Sequence, residues 1–154
     1  MPTTYTPATI VKGDELMLFD AAGHSIAYAT NHTLTISGDT QDISSKDHGV
    51  WGATSVNKIS WEITSENLYT EGAFDTLFTS MTSRAPITVY FGMKDPTATG
   101  TPADGDIAYW SQYAGHTYTG KAYITSLTAN ANNGENATFS ITLTGVGTFA
   151  KTTA

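Results

Sequence analysis

The chain has 154 residues, no cysteine, and 14 acidic against 7 basic side chains, a net charge of −7. That length suits one domain with a real core. The missing cysteine excludes disulfides and thiolate chemistry, and the acidic balance argues against a grip on nucleic acid, which needs clustered Lys and Arg. Threonine fills 28 positions while charged residues make up only 14%, a balance that favours strands over surface helices rich in Lys and Glu.

Residues 1–12 are rich in Thr and Pro and are expected to form a loose arm. They lack the basic and apolar regions of a signal peptide. No apolar run approaches the roughly 20 residues that span a bilayer, so no membrane is implied. Glu15 to Phe19 is a short apolar run, Asp20 to Gly23 reads as a turn, and Ser25 to Ala29 reads as the returning arm of a hairpin. Thr33 to Ser37 alternates as a strand should.

Residues 38–55 break the pattern. They hold Asp39, Asp42, Lys46 and Asp47, with only Ile43, Val50 and Trp51 as large apolar groups. A compact domain seldom carries so long a loop without a use for it. The functional reading is an extension that reaches a neighbouring subunit, anchored by Trp51; the bland one is a surface loop whose Trp folds back on its own core.

Ile59, Trp61 and Ile63 alternate with polar residues, the mark of a strand with one buried face. The period then changes. Phe74, Leu77, Phe78 and Met81 stand at i, i+3, i+4 and i+7, predicting an amphipathic helix over about 71–84 whose stripe belongs to the core. Glu71 and Asp75 near its start and Arg84 near its end suit the helix dipole, and Pro86 forbids continuation. Ile87 to Phe91 reads as a strand, residues 93–106 as an exposed loop, and residues 150–154 as a short tail. Between them, residues 118–149 form a long hairpin. Phe139, Ile141 and Leu143 alternate on its second arm, Tyr123 and Leu127 flank Thr125 on the first with Ile124 on the opposite face, Asn130 to Asn136 turn the chain, and Gly145 to Gly147 end the strand. No repeat and no linker divides the chain, so residues 1–154 read as one domain. Its class is mainly β: an antiparallel β-sandwich or barrel with one flanking helix.

No motif carries chemistry. The four histidines, His24, His32, His48 and His116, show no metal-ligand spacing, and neither a nucleophile elbow nor a phosphate loop is present. No catalytic residue, cofactor or metal is expected. Tyr109, Trp110 and Tyr113 are an alternative ligand face of the sort that binds sugars, though aromatics more commonly line cores and subunit seams.

The hairpin carries Gly120, Ile124 to Leu127, Asn133, Glu135, Ala137 to Ser140 and Gly145 to Gly147; upstream lie Ile43 to Gly49 with Trp51, and Lys58 to Ile63. In order and spacing these segments resemble the major tail tube proteins of long-tailed bacteriophages, over most of residues 12–149. The resemblance implies a β-sandwich or barrel with a helix on one side, assembled with itself into stacked six-membered rings. It implies a structural protein of the virion tail, assembled in the host cytoplasm, whose partners are further tail proteins and DNA passing without specific binding. Asp39, Asp42, Lys46, Asp47 and Trp51 are then the candidates for contacts between subunits or rings. The alternatives are the tube of a contractile injection or secretion apparatus and a carbohydrate-binding module.

Overall fold

A computed structural model describes residues 10–11, 13–21, 26, 28–94 and 112–153. Its strands are β1 (Leu16–Phe19), β2 (Tyr28–Asp42), β3 (Thr54–Leu68), β4 (Ile87–Lys94), β5 (Gln112–Asn130) and β6 (Thr138–Lys151), with one helix, α1 (Glu71–Thr82), between β3 and β4. All six strands join one antiparallel sheet in the order β1-β4-β5-β6-β3-β2. The domain is thus mainly β with one flanking helix, and its sheet stays open.

One face of the sheet builds the core. Directly paired residues share a face, so Leu34, Ile63, Leu143 and Ile124 line up across β2, β3, β6 and β5. Ile141, Phe139, Val89 and Ala122 join them, all buried. α1 lies over the Phe139 end of this core: Leu77 is buried, and Phe74 meets Phe139 edge-on at 5.6 Å. Phe78 departs from the expected stripe and is half exposed, stacked on Phe74 only. Two long-range contacts curl the sheet toward closure. Ile26 N–H donates to the Leu18 carbonyl (3.0 Å), and His32 of β2 sits edge-on to Phe91 of β4 with ring centroids 6.4 Å apart.

Several local expectations change. Of the hairpin expected over Glu15 to Ala29, residues 22–25 and 27 lie outside the described residues; β1 pairs with β4, from Leu16↔Met93 to Phe19↔Tyr90, and β2 with β3 at the other end of the strand order. In the C-terminal hairpin, a bulge at Thr125, between Ile124 and Ser126, adds one residue and flips the alternation. Ile124 and Leu127 therefore share the core face, and Tyr123 points to solvent. β6 does not end at Gly147 but runs to Lys151, and Thr152 beyond it is tied down as well. Thr152 N–H donates to the Thr117 carbonyl (2.8 Å), the two hydroxyls lie 2.9 Å apart, and Gly115 N–H donates to Thr152 Oγ1 (3.1 Å).

Candidate functional site: a projecting arm and a hydroxyl face

β3 pairs with β6 only from Leu68 to Glu62, whereas its pairing with β2 continues to Asp42↔Thr54. The far halves of β2 and β3 therefore leave the sheet as a two-stranded arm. Of the loop expected over 38–55, residues 38–42 and 54–55 are strand, and residues 43–53 connect the two strands. Alternation persists here without burial: Ile36, Val56 and Ile59 share the face of the core residues yet are exposed, Ile59 at 69%. No β6 lies alongside them. Gly38 makes room for Val56, since a Cβ at that position would approach Val56 Cγ1 to 2.9 Å.

The arm is held at its root by Trp61, 4% exposed. Its indole stacks on Phe149 (centroids 4.4 Å apart), donates to the Gly147 carbonyl at 3.4 Å, and lies flat over Gly145. Any side chain at Gly145 would overlap the indole ring. The Gly-Val-Gly stretch is thus a seat for Trp61, not a strand end, and Gly147 has the positive φ (71°) that presents its carbonyl there.

The tip is ordered by its own polar side chains. Ser44 Oγ accepts from Ala53 N–H (2.7 Å), and Ile43 N–H donates to the Ala53 carbonyl (2.9 Å). Asp42 Oδ1 accepts from Ser44 N–H at 2.8 Å; the Ser44 hydroxyl and this N–H together hold the carboxyl below its ordinary pKa. Ser45 caps a short turn over Lys46–His48, and His48 Nδ1 accepts the Ser45 N–H in return (2.9 Å). All five candidate contact residues fall on this arm: Asp39 on its shaft opposite Lys58, Asp42 at its end, Lys46 and Asp47 in the turn, Trp51 at the tip. Trp51 does not fold back. It is 81% exposed, beside Val50 at 94%.

The sheet face away from the core is lined with hydroxyls. Thr33, Thr64, Thr142 and Ser126 form one cross-strand row, and Asn31, Glu66, Ser140 and Thr128 form the next. A shallow groove of about 250 Å³ lies between them. Glu62, Glu66 and Lys121 are charged residues of this face, all exposed.

Of the alternative ligand face, Tyr109 and Trp110 lie outside the described residues. Tyr113 is half-buried and stacks on His116 at 4.0 Å, so its ring is not an open platform. Among the described residues, no three His, Cys, Asp or Glu side chains come together as a metal site.

No family model matches the chain, and no curated protein does. Solved structures do. A chain in the virion of the native gene transfer agent (GTA) particle and one in the tail of the empty GTA particle, computed with C6 symmetry, each give a TM-score of 0.71 at 14% identity, covering 93% of this chain and 99% of theirs. A chain of the SPP1 tail tube gives 0.66 at 10% identity, covering 94% of this chain and 80% of that one. A chain of the sheath–tube complex of an extracellular contractile injection system gives 0.55 at 16% identity, covering 89% and 88%. Neighbours from three kinds of tail and tube assembly, each matched over 89–94% of this chain, agree with the resemblance read from the sequence: this protein has the tail-tube fold.

Proposed function

We propose that the protein is the major subunit of a bacteriophage tail tube, a structural and non-enzymatic component that assembles into stacked six-membered rings. The observation that carries this reading is the arm. A monomer gains nothing by ordering a two-stranded extension with an apolar stripe and an exposed Trp at its tip, because exposed apolar surface of this kind signals a partner. A copy of the same chain is the economical partner, as a head-to-tail contact repeats through an assembly without new surfaces. The relatives in fold come from tails and tubes, one computed with C6 symmetry, which supports the sixfold ring. Asp39, Asp42, Lys46, Asp47 and Trp51 make the contacts between subunits or rings.

The hydroxyl face supports a conduit for DNA. Ser and Thr hydroxyls hydrogen-bond water readily, and the carboxylates of Glu62 and Glu66 repel phosphate, so a polyanion slides past such a wall instead of adhering. On this reading the face lines the lumen, DNA passes without specific binding, and the tube belongs to the virion tail after assembly in the host cytoplasm.

Shortening the arm tests the reading. Replacing Asp39–Lys58 with Asn-Gly joins the paired residues Gly38 and Ile59 through a two-residue turn. The variant should fold, with wild-type circular dichroism, and sediment as a monomer at concentrations where the wild type assembles. Assembly of the shortened variant into tubes would refute the arm's role.

A further inference from the structure

A second feature lies at the opposite end of the arm's own strand. Between the first residues of β2 and the β1–β4 edge the sheet stays unsealed, leaving an open cavity of about 460 Å³. Among the described residues, Leu16, Met17, Ala29 and Phe91 give it an apolar side, and Thr30, Asn31, His32 and Lys94 a polar one. Its apolar side is half-buried. His32 Nδ1 is buried with no hydrogen-bond partner among the described residues. The volume lies within the range of about 300–1,000 Å³ that holds well-defined ligands.

We propose that this cavity is the socket for the arm of a second copy, with Trp51 as the inserted side chain and Val50 beside it; the inference rests on the tube reading above. Two observations favour a second copy as occupant. The chain carries its own matching plug: Trp51 and Val50 are among its most exposed apolar residues, and an aromatic anchor in an apolar pocket is the usual centre of a binding surface. The plug and the socket occupy the two ends of β2. From Asn31 to Asp42 the strand advances roughly 36 Å, so one copy cannot fill its own socket, and a simple translation brings plug to socket in the next. Such a contact is heterologous, and it gives a stack of rings a polarity.

The chain has no natural cysteine, which makes the test clean. Trp51→Cys and Thr30→Cys place single thiols on the plug and on an exposed residue of the socket wall. Under mild oxidation, assembled mixtures of the two variants should yield a 51–30 linked dimer, identified by peptide mass spectrometry. The doubly substituted chain should yield a ladder of multimers. Tubes that form by electron microscopy but lack the 51–30 link, or show only 51–51 links, would overturn the socket while leaving the tube reading in place. Failure of every variant and of the wild type to assemble would overturn both. A variant that keeps its thiol-free surface gives a second readout. Trp51→Ala should raise the concentration needed for assembly by about 30-fold, and an unchanged threshold would remove Trp51 as the anchor.

Discussion

Gly145 and His32 show how single residues set the behaviour of the whole. Gly145 exists to let an indole lie on bare backbone, and Trp61 in turn fixes the arm's root through Phe149 and the Gly147 carbonyl. Gly145→Ala should therefore displace Trp61 and cost about 1–3 kcal/mol, the range for an overpacked site. Chemical denaturation would measure the loss, and near-UV circular dichroism would show the indole leaving its seat. At His32, burial disfavours the charged imidazole and lowers its pKa from 6.5 to about 4. The folded protein thus holds this proton less tightly than the unfolded chain does. Its contribution to stability is complete above about pH 6.5 and is lost as pH falls toward 4, up to about 3 kcal/mol in all. The melting temperature of the wild type should fall across that window, and His32→Leu should flatten the fall; an unchanged slope would mean that other groups control it.

Among the elements, periodicity revealed those whose neighbours are continuous and failed where neighbours end. Phe139, Ile141 and Leu143 alternate in sequence and are buried in fact, because β3 and β5 flank β6 along that stretch. The 3.6-residue stripe placed α1 within two residues of its observed end. Ile59 carries the same alternating signal yet lies in water, since nothing in a strand's own sequence records where the next strand stops pairing. The bulge at Thr125 and the β1–β4 pairing were invisible for a related reason: each depends on a register chosen by distant residues. The polar composition of 38–55 did mark the arm as unusual, but its Asp, Gly and Ser residues hid strand structure that cross-strand pairing supplies. The cavity beside His32 had no sequence signal at all, being made by the curl of the sheet. The C-terminal end offers a test at this scale. Thr152 holds the start of β5 through Thr117 and Gly115. Thr152→Ala should cost about 1–2 kcal/mol and raise amide exchange over residues 112–117 selectively; uniform exchange along β5 would contradict it.

For the molecule as a whole, the sheet separates two tasks. One face is spent on the core and the helix, the other presents hydroxyls and a few carboxylates, and the arm leaves along the strand direction with Trp51 exposed at its tip. An open sheet also has edges, which natural proteins cover or pair, and ring closure is one way to do so. The account stands or falls on assembly. Electron microscopy of the purified wild type, from dilute to highly concentrated solution, measures this most directly. The account predicts hollow rings that lengthen into tubes with sixfold symmetry, and with the hydroxyl face toward the centre once resolved. A uniformly monomeric particle at the highest concentration would contradict it.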